Sequence, residues 1–378
     1  MTFAAVPAAE RGDPATRPAT VSEALERAAQ AGVGGLRLLD RRERERWLGW
    51  SELAERARRV AGGLREVGVV PGDVLALVFP TGEGFFDAFF GTLAAGAVPA
   101  PLPPPLRLGG MDGYSRRAAA VLESLSARMV LAGPRTRRLL DDAVARARPP
   151  LGCRSPAELP DGGTPEPVVR GPEDLAVVQL SSGTTGSPRP IALSHRAVLA
   201  QAHLLNGFWP DRAGAAPSLL SWLPLFHDMG LIGCVLPALT RPGELTLLPP
   251  ELFVARPAAW LRALSRTRAT ISAAPCFAYR YAVEKVSDAD LAGVDLSAWT
   301  AALCGAETVS PEVLRTFTAR FARVGLSAAA PTPVYGLAEA ALAVTFSELD
   351  RPPVAARFDR AELSRGLARE SAEGREIA

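Results

Sequence analysis

At 378 residues the chain exceeds one average domain, and a hydrophobic content of 48% is enough to fill more than one core. A net charge of +2 excludes a general affinity for nucleic acid or for an anionic membrane surface. The four cysteines, Cys153, Cys234, Cys276 and Cys304, include no close pair of the metal-knuckle or redox kind, so thiols buried in a reducing cytoplasm are expected.

Met1 to Ala19 lacks a basic stretch followed by an apolar core and does not read as a secretory signal. Thr20-Val-Ser-Glu23 is a capping box that predicts a helix to about Ala31. Leu36 to Leu39 and Trp47 to Trp50 pair as a hairpin around charged residues, and Ser51 is expected to cap a helix to about Val67. A buried strand follows at Val74 to Phe79, then a helix over 84–96. The most apolar stretch, Phe85 to Leu106, contains Asp87 and is broken by Pro99, Pro101 and Pro103 to Pro105, which argues against a membrane span. The proline segment is expected to be extended and outside any ladder.

Helix, strand and helix are predicted over 112–126, 128–132 and 136–147, and Cys153 to Gly171 reads as a loop. The strand Leu175 to Leu180 leads into Ser181-Ser-Gly-Thr-Thr-Gly-Ser-Pro-Arg189. Glycines allow close backbone approach there, and successive N–H groups and hydroxyls can converge on an anion, most simply a phosphate. The alternative is a flexible linker, and the Walker ending of Gly-Lys-Ser/Thr is missing. A helix over 194–208 follows. Strand-like runs then recur at Leu219 to Leu223, Leu245 to Leu248, Thr270 to Ala274 and Thr300 to Leu303, with helices near 229–239, 257–266, 276–286 and 310–324 between them. Ser310-Pro311-Glu312 is a strong helix start. Alternating short strands and helices predict parallel sheets in an α/β fold.

Three more segments carry candidate chemistry. His227 and Asp228 precede the apolar run Met229 to Leu239, and the pair reads either as a proton relay or as a histidine orienting a loop. Gly305-Ala306-Glu307 ends a buried strand, where parallel sheets bind ligands and small residues let a flat ring approach. Tyr335 offers an aromatic face, and Glu339, four residues on, a hard oxygen for Mg²⁺. Each is weak alone. Together they supply the parts of an ATP site.

The ordered set Ser182 to Pro188, His227-Asp-Met-Gly230, Gly305-Ala-Glu307 and Tyr335-Gly-Leu-Ala-Glu339 resembles the adenylate-forming superfamily. Within it the chain is most similar to the fatty-acyl-AMP ligases, on Pro101 to Leu108, Trp222 to Gly233, Ala274 to Tyr279 and Arg357 to Leu363. The resemblance implies the large-domain fold of that superfamily over 20–378, an α/β fold of two mixed or parallel sub-domains, with 350–375 as a ligase-specific, insertion-like segment. It implies activation of a fatty or related carboxylic acid by ATP and Mg²⁺ to acyl-AMP, then transfer to the phosphopantetheine thiol of an acyl carrier protein in the cytoplasm.

By the same resemblance Ser181, Ser182, Gly183, Thr184, Thr185, Gly186 and Arg189 hold phosphates. Gly305, Ala306 and Glu307 flank the adenine, Tyr335 stacks on it, and Gly336, Leu337 and Ala338 complete the nucleotide side. Glu339 binds Mg²⁺, with Thr185, Glu339 and His227 at the reacting centre. His227, Asp228, Met229, Gly230 and Gly233 border the acyl tunnel. Arg189-Pro190 stands where the family usually has Lys-Gly. The family also continues through a small barrel and a lid bearing a catalytic lysine, whereas this chain ends at Ala378 and its single lysine, Lys285, is not in a matching position. The expectation is an N-terminal portion, of low activity by itself. An acyl-CoA ligase of the same fold and a non-catalytic nucleotide- or acyl-binding module are the alternatives.

Overall fold

The computed structural model describes residues 17–105, 111–163, 166, 168–181, 189–209 and 217–377. Two α/β layers organise the chain. The larger is an eight-stranded sheet in the order Ala343–Phe346, Pro331–Gly336, Ala301–Gly305, Ile271–Pro275, Leu219–Ser221, Glu244–Leu247, Gly35–Leu39 and Glu45–Gly49. Its two edge strands run antiparallel to their neighbours, and the strands between them run parallel. The smaller is a parallel four-stranded sheet ordered Val98–Pro101, Val74–Val78, Met129–Ala132 and Cys153–Arg154.

The chain switches sides at Leu219–Ser221. The next strand, Glu244–Leu247, pairs on one flank of it and the one after, Ile271–Pro275, on the other. Such reversals open a crevice at the carboxyl ends of parallel strands. Four consecutive strands of this sheet end at the same side, and the loops that leave them carry His227, Cys276, Ala306 and Glu339. That is the structural reason why motifs more than a hundred residues apart meet.

Local signals in the sequence account for several elements. Thr20 accepts the Glu23 N–H and starts helix Val21–Ala31, and Ser310 does the same for Val313 and helix Pro311–Phe321. Behind the crevice, Trp222 stacks on Phe253 with centroids 3.9 Å apart, and Trp260 packs edge-on against both Trp299 and Phe253. Trp260 is fully buried and its indole N–H donates to Ser272 Oγ at 3.0 Å. Each such aromatic contact adds about 0.5–1.5 kcal/mol beyond burial and stiffens the sheet under the site.

Other expectations need correction. Helix Trp50–Glu66 is preceded by Gly49 and has no side-chain cap; the Ser51 hydroxyl donates instead to the Ala29 carbonyl. Pro99 and Pro101 lie inside the strand Val98–Pro101 rather than outside any ladder. This strand is an edge, and the N–H groups of Val98 and Leu102 donate to the Asp73 and Leu77 carbonyls at 2.8 Å, so neither proline is asked to donate inward. The helix expected over 136–147 is two pieces, Pro134–Arg137 and Asp141–Ala147. The apolar run after Asp228 is one turn of α-helix, a π-helical stretch Leu231–Val235, and a further helix Leu236–Thr240. No helix among the described residues is long and apolar enough to cross a membrane.

Candidate active site

The crevice is a cavity of about 530 Å³. Two lengths of chain set its polar side. One is the pair of residues that bracket the Ser/Gly/Thr loop. Strands Leu175–Leu180 and Pro190–Ser194 form an antiparallel hairpin with Leu180 opposite Pro190. The Ser181 N–H donates to the Arg189 carbonyl at 2.9 Å, and the Arg189 N–H donates to Ser181 Oγ at 3.2 Å. Strand Pro190–Ser194 had no counterpart in the sequence reading. It lies between Arg189 and helix His195–Phe208. Pro190 suits the first residue of such a strand. Ser182, Gly183, Thr184, Thr185 and Gly186 lie outside the described residues, whereas Ser181 and Arg189 both line the cavity.

The other polar length is Tyr335 to Glu339. A register shift at Tyr335/Gly336 in the pairing with Ala343–Phe346 turns the strand end, and the Leu337 N–H closes the bend on the Leu342 carbonyl at 2.7 Å. Tyr335 is left 60% exposed, with its ring available for stacking. Tyr335, Gly336, Leu337, Ala338 and Glu339 all line the cavity. Glu339 is exposed, and among the described residues no ion pair involves it. No cluster of three or more His, Cys, Asp or Glu side chains suited to a metal occurs among the described residues. A cation here would take Glu339 together with phosphate oxygens, as Mg²⁺ does when it keeps few protein ligands.

His227 and Asp228 are adjacent in the chain, yet their side chains meet. Nδ1 lies 2.7 Å from Asp228 Oδ1, and the same carboxylate oxygen accepts the Met229 N–H at 2.7 Å. The Met229 N–H also approaches His227 Nδ1, at 3.4 Å, so both side chains cap the turn that starts at Asp228. His227, Asp228, Met229 and Gly233 line the cavity. Gly230 does not: it is buried against Pro224, whose carbonyl oxygen would lie 2.3 Å from any Cβ added there.

The adenine-flanking expectation divides in the same way. Ala306 lines the cavity and holds a left-handed φ of 64°. Gly305 sits behind the wall, where a Cβ would come within 2.7 Å of Val334, so its small size serves the approach of two strands. Glu307 also lies off the wall and accepts the Phe277 N–H at 2.6 Å.

The apolar side includes residues that motif reading missed. Leu205 and Trp209 come from helix His195–Phe208 and its end, and Leu342 and Phe346 from the region of the edge strand. Phe346 stacks on Phe208 at 4.4 Å and meets Trp209 edge-on at 6.0 Å. Nothing in their local sequence marks these residues, because each looks like ordinary core until the strands are placed.

In the insertion-like segment, Ala356–Phe358 pairs antiparallel with Arg375–Ile377, and Arg360–Ser364 is a short helix capped by Asp359. Phe358 is only half-buried, so strand pairing rather than full burial of that ring holds the segment. A two-pronged Arg315–Glu376 contact at 3.0 Å ties it to helix Pro311–Phe321.

The cavity at the switch point gathers residues from four separated motifs, Ser181, His227, Ala306 and Tyr335 to Glu339. The AMP-binding enzyme family matches residues 25–361, and the chain belongs to that family. It is 35% identical over 340 residues to the long-chain-fatty-acid–AMP ligase FadD23 of Mycobacterium tuberculosis, covering 86% of this chain and 56% of the relative. It is likewise 35% identical over 337 residues to a 4-hydroxyphenylalkanoate adenylyltransferase of Mycobacterium marinum, covering 84% of this chain and 52% of that one. The chain therefore spans about half the length of the curated relatives it matches. Among solved structures, it is similar to one from a study of fatty acyl-adenylate ligases of E. coli and L. pneumophila, with TM-score 0.88 and 33% identity over 96% of this chain and 65% of that one. A fatty acyl-adenylate ligase of L. pneumophila in complex with acyl adenylate and pyrophosphate gives TM-score 0.85 and 25% identity, over 94% and 62%.

Proposed function

We propose that this chain is the nucleotide- and acid-binding portion of an enzyme that joins a fatty acid to AMP, releasing pyrophosphate, and passes the acyl group to an acyl carrier protein. One observation carries the reading. A single cavity is lined both by Ser181, Arg189, Tyr335 and Glu339 and by the apolar Leu205, Trp209, Leu342 and Phe346. An acyl adenylate has the same polarity, a charged nucleotide joined to an apolar tail.

In the reaction a carboxylate oxygen attacks the α-phosphorus of ATP. The new O–P bond forms as the bond to the β-phosphate breaks, and pyrophosphate leaves. The barrier comes from bringing two anions together, so the protein's task is positioning and charge neutralisation. Tyr335 orients the base by stacking. Arg189 places a cation at the rim of the loop, and the loop's N–H groups serve the phosphates. His227, beside Asp228, lines the same cavity, where its ring can hydrogen-bond the reacting assembly. Mg²⁺ held at Glu339 would supply neutralisation of phosphate oxygens. The apolar residues fix the tail and exclude water.

The test is acid-dependent acyl-adenylate formation by the complete protein, trapped with hydroxylamine as the hydroxamate while pyrophosphate is counted. Equal amounts of both, depending on a fatty acid and lost in Glu339→Ala, are expected. ATP binding with no pyrophosphate release for any acid would overturn the reading and favour a non-catalytic binding module.

A further inference from the structure

Two thiols that the sequence separates meet directly behind the nucleotide wall. Strand Ile271–Pro275 runs parallel to Ala301–Gly305, with Ala274 opposite Cys304 and Pro275 opposite Gly305. Cys276 is the first residue of helix Cys276–Lys285, so it leaves the same strand end that Cys304 approaches. The two thiols therefore face each other across adjacent strand ends, and Cys276 Sγ accepts the Ser310 N–H at 3.4 Å. Both residues are buried, at 5% and 0% exposure, but Phe277 beside Cys276 is 43% exposed, so this thiol lies just under the surface.

The two sulfurs are chemically unequal. The facing Cys304 thiol, opposed by burial and aided by the Ser310 N–H, holds the Cys276 thiol below its ordinary range. A helix start favours a thiolate for the same reason. The Cys304 thiol is pushed the other way by Cys276 and by burial, and keeps its proton. The other cysteines lack such a partner: Cys153 is half-buried with its thiol pushed up by burial, and Cys234 is buried with its sulfur directed to the Met229 carbonyl.

We propose that Cys276 and Cys304 form an oxidation site that a hydroperoxide converts to a disulfide, and that this bond weakens nucleotide binding. The Cys276 thiolate attacks the peroxide, the O–O bond breaks, and an alcohol or water leaves as the sulfur becomes a sulfenic acid. The Cys304 thiol then displaces hydroxide from that sulfur, the S–S bond forms, and water is released. Two thiols lose two electrons and the peroxide gains them.

The consequence follows from the packing and rests on the proposed nucleotide site. An S–S bond of about 2.05 Å is far shorter than a contact between two thiols, so the helix start and the strand end must close up. Gly305 follows Cys304 and has no slack toward Val334, the neighbour of Tyr335. Glu307 is bonded to Phe277 on the helix. Closing the pair therefore displaces Ala306 and, through Val334, Tyr335.

The experiment treats the protein with hydrogen peroxide, blocks remaining thiols with iodoacetamide, and maps cross-linked peptides by mass spectrometry. ATP–Mg²⁺ binding is followed by calorimetry on the same samples. A Cys276–Cys304 link that dithiothreitol reverses, with a several-fold loss of ATP affinity that returns on reduction, is expected. Cys276→Ser should keep its affinity under peroxide, and Cys304→Ser should accumulate a sulfenic acid at Cys276 that dimedone captures. Cys153→Ser and Cys234→Ser should behave as the unaltered protein. Absence of the link, or a peroxide-induced loss of ATP affinity in Cys276→Ser equal to that of the unaltered protein, overturns the thiol site. A link that leaves ATP affinity unchanged overturns its coupling to the nucleotide. Failure of the reduced protein to bind ATP overturns the functional reading instead, since the link is read independently by mass.

Discussion

The Glu307 carboxylate accepts the backbone N–H of Phe277 at 2.6 Å, across thirty residues of chain, and so caps a helix to which it does not belong. Helix Cys276–Lys285 follows Pro275 and has no side-chain cap of its own. Glu307 supplies what a Ser or Asp at the N-cap would have supplied, and it fastens the strand end at Ala306 to that helix.

Removing this cap should cost stability whatever the ligand. Glu307→Ala is expected to destabilise the chain by about 1 kcal/mol, the usual worth of a helix N-cap. Glu307→Gln, which keeps an acceptor oxygen, should recover most of it. Urea denaturation of the three proteins checks this, and equal midpoints would refute the capping role.

Tyr335 is the exposed ring on the proposed nucleotide side. Tyr335→Ala should weaken ATP or acyl-adenylate binding by roughly 1–3 kcal/mol, the range of base–aromatic stacking. Tyr335→Phe should change it little. Titration calorimetry distinguishes them, and unchanged affinity in the alanine variant would place the base elsewhere.

Gly233 lies on the cavity wall, and a Cβ there would come within 2.8 Å of Leu342 Cδ2. Gly233→Trp should therefore fill the apolar side and lower the longest chain the complete protein activates, while short acids still react. Hydroxamate formation across a series of fatty acids measures it. Equal chain-length profiles would mean that the tail runs another way.

His195 is 3% exposed, and its Nδ1 accepts the Val21 N–H at 3.1 Å, which fixes the first helix to helix His195–Phe208. Burial chiefly, then the Arg170 charge, lowers its pKa from 6.5 to about 4, while Asp174 works in the opposite direction. The folded state thus favours the neutral ring. This stability is fully present above pH 6.5 and is lost as the pH falls from 6.5 toward about 4, a change of about 3 kcal/mol. His195→Asn keeps an acceptor for Val21 but does not titrate, so its stability should fall less steeply over that interval. Melting curves at stepped pH test the difference, and parallel slopes would reject the assignment.

The segment Ala356 to Ile377 forms a pinned hairpin on helix Pro311–Phe321. If it restrains the geometry that admits a free pantetheine thiol, the complete protein should yield acyl-AMP and acyl carrier thioester but little acyl-CoA. Arg315→Ala alone should alter this little, because an exposed ion pair contributes about 0–1 kcal/mol. Product analysis with coenzyme A supplied decides the matter, and robust acyl-CoA formation would favour the acyl-CoA ligase alternative.

Local chemistry was readable in the sequence wherever a few neighbouring residues decide the outcome. Thr20 and Ser310 start helices because a hydroxyl beside free N–H groups is satisfied within one turn. The runs at Leu219, Leu245, Thr270 and Thr300 were legible as strands because each is short and mostly apolar, whereas strands Pro331–Gly336 and Ala343–Phe346 had no such signal. What depends on partners far along the chain was not legible. Pro99 and Pro101 could enter a strand only because that strand is an edge, and a lone sequence does not say which strands are edges. Pro190 opens a strand because Leu180 lies opposite it. Gly305 is small for the sake of Val334, and Glu307 is acidic for the sake of Phe277. Cys276 and Cys304, read as unrelated thiols, face each other because two parallel strands end side by side. Side-chain caps act over one turn, whereas packing acts wherever the sheet brings surfaces together, and only the strand order of the folded chain decides which surfaces those are.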